Sequence, residues 1–282
     1  MPVVFVLIWS TGFIVARFGM PLSPPMKFLA VRYALSILCF LPWIVLAKVR
    51  WPANRRQWGH LAITGILMHA CYLGGVWAAV KAGMGSGLSA LIVGLQPVLT
   101  AFWLSSTGGQ ITRRQWAGLV LGFVGLVMVV SRKFGTGGEA NWVNMSFAIA
   151  GLFGITIGTL YQKRFVAPCD VRTANVVQLS AALLVTVPLA LLEPEAMQWN
   201  AQLAGAMTWS VLALTLGGSS LLYLLIQRGA AASVTSLMYL VPPVTAFIAW
   251  LLFSEVITIV TIAGTLLTAF GVSLVVRPAR QT

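Results

Sequence analysis

Charged chemistry has little to work with in this sequence. Its 282 residues include five acidic side chains, two histidines and three cysteines. Glu139, Asp170, Glu193, Glu195 and Glu255 are scattered, and no HExxH, GxSxG, paired carboxylates or Ser/His/Asp set stands at a depth where catalysis could use it. Cys39, Cys71 and Cys169 are odd in number, unclustered and without CxxC spacing, so they read as small apolar filler. No metal and no cofactor is expected. The groups able to meet a small molecule are instead neutral and aromatic. His69 and Tyr72, three apart, share one helical face. Trp9, Ser10 and Thr11 are contiguous, and Gln96 and Tyr239 each stand alone in an apolar run. Tyr161, Gln162 and Tyr223 fall near the ends of such runs, where a gate or an interfacial aromatic belt would place them. A buried imidazole or amide costs free energy unless it is partnered, so these positions read either as a binding site or as satisfied core.

The elements that must hold them are membrane spans. The chain is 59% hydrophobic and 8% charged, with a mean hydropathy of +0.92, whereas a soluble domain carries roughly a quarter charged residues. Ten apolar spans are expected at 3–19, 27–47, 60–80, 86–106, 115–131, 145–163, 172–192, 205–226, 231–253 and 257–276. The net charge of +13 belongs to residues between spans, which argues against nucleic acid as a partner. Even-numbered connections and the carboxyl tail hold Lys48, Arg50, Arg55, Arg56, Arg113, Arg114, Lys163, Arg164, Arg172, Arg228, Arg277 and Arg280. The opposite side holds Arg17, Lys27, Lys81, Arg132 and Lys133. Both termini are therefore expected in the cytoplasm. The uncharged start, leading from one apolar run straight into another, gives no sign of a cleaved signal.

A long repeat orders these spans. Gly83 and Gly229 are 146 residues apart, Pro97 and Pro242 145, and Gly125 and Gly271 146. The same 146-residue offset lays Arg17 on Lys163, Arg32 on Gln178, Pro42 on Pro188, Gly118 on Gly264 and Gly122 on Thr268. Two units follow, 1–137 and 138–282, each of five spans. An odd number of spans inverts the second unit, so the fold class is an all-α membrane protein of ten transmembrane helices in two inverted five-helix repeats. Corresponding mid-span prolines in inverted halves point to a transport site at their interface. Pro97 strips the carbonyl of Val93 of its helical donor, and Pro242 and Pro243 do the same to Met238 and Tyr239, giving either ordinary kinks or a hinge. The small residues at 118, 122, 125 and 264, 268, 271 read as a packing face within the chain or a dimer face. Arg32, about five residues inside span 2, either snorkels to the headgroups or meets a substrate carboxylate or a helix carbonyl. No acid falls within a span, so proton or sodium coupling has no buried carboxylate to use. Facilitated movement, or weak coupling through His69, is expected.

Several of these residues together resemble a known group. Trp9-Ser10-Thr11-Gly12-Phe13 leading to Arg17, Arg32-Tyr33, mid-span Pro97 and Pro242, Ser254-Glu255, and Gly264 with Gly271 are similar to the drug/metabolite transporter superfamily, in its ten-helix EamA-type exporters. Gln110 stands where that pattern commonly has the glutamate that Glu255 keeps. The resemblance implies a multi-pass bacterial inner-membrane exporter of amino acids, other metabolites or drug-like cations. Combined with the neutral aromatic site residues, it favours apolar or aromatic amino acids moved by alternating access around a central cavity. Drug-like cations or nucleosides, a membrane-embedded enzyme and a channel are the alternatives. The expected partners are the lipid bilayer and the small-molecule substrate, with a monomer favoured over a dimer.

Overall fold

In the computed structural model, residues 2–106, 112–134, 139–227, 240–255 and 258–276 are described. Among them the chain is helical, with no strand beyond an isolated bridge between Phe134 and Ala140. In order the helices are α1 (Pro2–Gly19), α2 (Pro25–Leu46), α3 (Arg55–Lys81), α4 (Ser86–Val93), α5 (Gln96–Ser106), α6 (Arg113–Lys133), α7 (Trp142–Phe165), α8 (Val171–Leu192), α9 (201–227), α10 (Val241–Phe253) and α11 (Ile259–Val276). Local sequence sets their starts. Thr112 with Gln115, and Asn141 with Asn144, form reciprocal capping boxes, while Asn54, Asp170 and Asn200 each accept from the first turn that follows. Among the described residues seven helical stretches are long and apolar enough to cross a membrane, namely α2, α3, Ser86–Trp103, α6, α7, α8 and Ala201–Leu225. Three further apolar helices, Val4–Gly19, Val241–Phe253 and Ile259–Leu274, are shorter. Against the expected ten crossings, the described residues thus hold seven full-length stretches and three shorter ones, and residues 228–239 lie outside them.

The most extensive helix pairs are α6 with α11, α3 with α7 and α2 with α8, and α4 packs on α10. In the first pair the small residues face one another. A Cβ on Gly125 would come within 2.5 Å of the Gly264 carbonyl oxygen, and one on Gly271 within 2.5 Å of the Gly122 nitrogen. Thr268 Oγ donates to the Gly264 carbonyl at 2.8 Å, with Gly122 O at 3.3 Å. The two small-residue rows therefore pack on each other inside one chain.

The prolines sit differently from mid-helix kinks. The fourth span is interrupted at Gly94 and Leu95, and Pro97 occupies the second position of α5. Pro242 and Pro243 hold the second and third positions of α10. A first-turn proline loses a hydrogen bond that the helix could not have made, so these residues start segments rather than bend them. Met238, Tyr239 and Arg228 lie outside the described residues. The break between α4 and α5 meets the start of α10: a Cβ on Gly94 would stand 2.7 Å from Pro242 Cγ.

All five carboxylates lie outside the helices, and four of them are gathered at one end of the bundle. Glu193 accepts the first-turn N–H groups of Met26 and Lys27 at 3.0 and 2.9 Å. Glu195 pairs with Lys81 at 2.5 Å, and Lys27 Nζ donates to its carbonyl. Glu255 accepts from Ser86 N–H at 3.0 Å, with Gly87 N at 3.4 Å, at the start of α4, and Glu139 pairs with Lys133 at 2.7 Å. Acids at helix amino termini also oppose the helix dipole. At the other end the ties are mostly neutral. Gln57 exchanges hydrogen bonds with the backbone of Ala167, Tyr161 Oη lies 2.8 Å from His60 Nδ1, and Cys169 contacts Tyr223 Oη at 3.0 Å. There Asp170 is the exception. Hydrogen bonds from the Arg172 side chain hold its carboxyl below the ordinary carboxylate range.

Candidate functional site: a cavity shared by equivalent helices

Two stretches of π-helix define the site. They widen α3 at Ile66–Cys71 and α9 at Ser210–Ser219, and the positions 146 residues after the first stretch fall inside the second. A π turn rotates the side chains beyond it and frees carbonyls from the i−4 ladder, and such turns concentrate at functional sites. Here Thr215 and Ser219 use the extra room to bond the carbonyls five residues back, Ser210 at 3.0 Å and Leu214 at 3.3 Å. His69 lies within the first stretch. Gly65, just before it, lets α3 press onto α8, since a Cβ there would stand 2.2 Å from the Gln178 carbonyl oxygen.

Between these helices lies a partly open cavity of about 50 Å³ available to the centres of water molecules, room for a handful of them. Its walls are mainly apolar and aromatic: Trp9 and Phe13 from α1, Met68, Tyr72, Val76 and Trp77 from α3, Ile155 from α7, and Leu214, Leu222 and Tyr223 from α9. The polar lining comprises Arg32, His69, Gln162, Gln178 and Ser219 besides the tyrosines. Trp9 stacks on Tyr72 with rings 6.3 Å apart and only 6° out of parallel. Tyr33 Oη donates to the His69 carbonyl at 2.8 Å and its ring meets the imidazole edge-on, which fixes the imidazole against α2.

The polar groups form two crossed pairs. Arg32 Nε donates to Thr215 Oγ at 3.0 Å, and the His69 side chain is within hydrogen-bonding reach of Gln178. Gln178 and Thr215 lie 146 residues after Arg32 and His69 respectively. The same offset relates Trp9 to Ile155, Met68 to Leu214, Leu73 to Ser219, Val76 to Leu222 and Trp77 to Tyr223, all of them in the cavity wall. Arg32 does not snorkel. It is 3% exposed, its guanidinium lies 5.9 Å from the Trp77 ring, and its Nη1 has no hydrogen-bond partner among the described residues. Gln178 Nε2 is likewise buried and without one.

Of the residues expected at the site, Trp9, His69, Tyr72 and Tyr223 share the cavity wall. Thr11 lies outside the lining, bonded to the Ile8 carbonyl and to Trp209 Nε1. Gln96 donates to Thr159 at 3.0 Å, and Tyr161 is engaged by His60. Pro97 stands in the first turn of α5, Pro242 and Pro243 in the first turn of α10, and Tyr239 lies outside the described residues. Trp77, Gln178 and Ser219 join the site without having been singled out. Gln178 carried a readable signal, since it is the repeat partner of Arg32, the basic residue deepest inside an expected span.

Among the described residues the chain is a helical bundle with a largely apolar chamber between its helices, the layout of a polytopic membrane protein. The chain belongs to the EamA-like transporter family, which matches residues 2–131 and 142–277, and thereby to the drug/metabolite transporter superfamily. It is 24% identical over 245 residues to the uncharacterized inner membrane transporter YedA of Escherichia coli K12, spanning 86% of this chain and 78% of that one. It is 24% identical to the uncharacterized transporter YvbV of Bacillus subtilis, over 96% of this chain and 88% of that one. A probable amino-acid metabolite efflux pump of Escherichia coli K12 is 22% identical over 57% of this chain and 52% of its own length. One crystal structure shares the fold with a TM-score of 0.70, at 16% identity, over 97% of this chain and 95% of that one.

Proposed function

We propose that this membrane transporter exports small metabolites, apolar and aromatic amino acids foremost, across the bacterial inner membrane by alternating access around the cavity. The observation that carries the proposal is the composition of the wall: residues at equivalent positions of the two family-matched segments line one chamber, with the crossed pairs Arg32–Thr215 and Gln178–His69 among them. Such a pairing is what an axis in the membrane plane produces when it relates two inverted five-helix units, 1–137 and 138–282, with ten crossings and both termini in the cytoplasm. The packing of α2 on α8 and of α6 on α11 supports the same arrangement, because each of these helices meets the one that lies 146 residues further along the chain. Aromatic walls with few polar groups suit an amino acid with an apolar side chain, and one relative's name, amino-acid metabolite efflux pump, favours that class. Trp9, His69 and Tyr72 are proposed to contact substrate. Tyr161 and Tyr223 are proposed as gate elements, and the helix starts at Pro97 and Pro242 as the hinge. With no carboxylate in the described helices, movement is driven by the substrate gradient.

Counterflow into proteoliposomes tests this reading. Vesicles preloaded with unlabelled leucine or phenylalanine should accumulate the labelled amino acid without an imposed ion gradient. Exchange of a drug cation or a nucleoside in place of any amino acid would overturn it.

A further inference from the structure

We infer that Arg32, with Gln178 beside it, is the anchor for a substrate carboxylate, so that the transported molecules are apolar monocarboxylates in which a free amine contributes little. This rests on the transport reading above and narrows it to one recognition element. A guanidinium taken out of water carries a penalty of several kcal/mol that is ordinarily offset by an opposite charge, and buried charges are paired or bound to an ion. Among the described residues Arg32 has neither. Its protein partners are the neutral Thr215 hydroxyl and the face of Trp77. Glu139, Asp170, Glu193, Glu195 and Glu255 each bond elsewhere, at the bundle ends. One of its terminal nitrogens is buried, without a hydrogen-bond partner, at the wall of the cavity. Gln178, at the equivalent position of the second segment, lines the same chamber with an amide nitrogen also short of an acceptor. Two donors seeking acceptors, one of them cationic and planar, match the two oxygens of a carboxylate.

The rest of the wall sets the body of the ligand. No carboxylate lines the chamber, so an ammonium group finds only hydroxyl and amide oxygens or aromatic faces. Trp9, Tyr72, Val76 and Leu214 surround an apolar side chain instead. The modest volume favours a branched aliphatic chain of leucine size over a bulky drug.

The test uses the full-length protein in nanodiscs at neutral pH, with ligand binding read from the tryptophan fluorescence to which Trp9 and Trp77 contribute. The ligands are L-leucine, its des-amino analogue 4-methylpentanoate, L-leucinamide and isoamylamine. Leucine and 4-methylpentanoate should bind within about threefold of each other. Leucinamide and isoamylamine should be weaker by at least roughly thirtyfold, the loss of a charge-assisted pair. R32Q should abolish the difference between leucine and leucinamide, and R32K, which keeps the charge but not the fork, should restore part of it. The wild-type comparison decides the matter even where R32Q fails to fold. Equal binding of leucine and leucinamide would overturn the carboxylate assignment and leave the transporter reading standing. A requirement for the amine, with 4-methylpentanoate silent, would overturn it too. In a sulfate buffer, chloride-dependent quenching that R32Q abolishes while leucine binds R32Q as tightly as the parent would assign Arg32 to an inorganic anion instead. Failure of all four to bind, together with failure of amino-acid counterflow, would remove both readings.

Discussion

Arg32 and His69 illustrate how a side chain's meaning depends on partners far along the chain. An arginine a few residues inside a span snorkels by default, and nothing local to Arg32 says otherwise. Its burial follows from Thr215, 183 residues away and presented by a π-helical stretch that has no sequence signature of its own. The His69–Tyr72 spacing was legible because both lie on one face of one helix, and both line the chamber. Thr11 and Gln96 were equally polar and equally deep, yet Trp209 and Thr159 take up their hydrogen bonds. Tyr72→Ala should lower counterflow roughly tenfold or more, since it removes both the stacking partner of Trp9 and part of the wall, while Tyr161→Phe should leave it within about threefold. Away from the cavity, the lowered Asp170 pKa gives a pH prediction. A group depressed on folding stabilises above its unfolded value, near 4, and that contribution disappears as pH falls through the lower folded value. The D170N variant should therefore narrow its stability gap from the parent as pH is taken from 6 towards 3, a small effect because the side chain is partly exposed, measurable by thermal unfolding in detergent.

At the scale of elements, the glycine rows were legible as a close-packing device, and their partner was not. Period and residue size give contact, but only the fold says which helix is met. Gly125→Val should abolish or severely lower the folded yield, because the new side chain would enter the Gly264 and Thr268 backbone of α11. Gly205→Ala, on a helix position with nothing within 4 Å, should be neutral or stabilising by about 0.5–1 kcal/mol. Size-exclusion profiles and melting temperatures of the two variants check the contrast. Glu255 caps a helix that neighbours it only in space, on α4, at a sequence distance of 169 from Ser86. Removing its charge with E255Q should cost about 1 kcal/mol, or a few degrees in melting temperature, without touching the chamber.

For the molecule as a whole, composition alone settled the membrane class, and the 146-residue offset anticipated pairs that meet in space, such as Arg32 with Gln178 around one cavity. What it could not supply was register: the prolines matched between halves, yet the helix is interrupted two residues before Gln96, at Gly94 and Leu95, so that Pro97 opens a segment instead of bending one. The gathering of acids at one end was also hidden, because Glu193, Glu195 and Glu255 find their partners on helices 114 to 169 residues earlier. With every carboxylate at the ends, an imposed proton gradient should change the steady-state accumulation of leucine by less than about twofold in proteoliposomes. Accumulation that collapses in E255Q would place the driving force at that acid instead.

The contact between Gly94 and Pro242 has a consequence for how α10 can move. A Cβ at position 94 would stand 2.7 Å from Pro242 Cγ, closer than two carbon atoms can approach. Any displacement of the start of α10 is therefore felt directly at the break between α4 and α5, and a methyl group placed at position 94 would force the two apart.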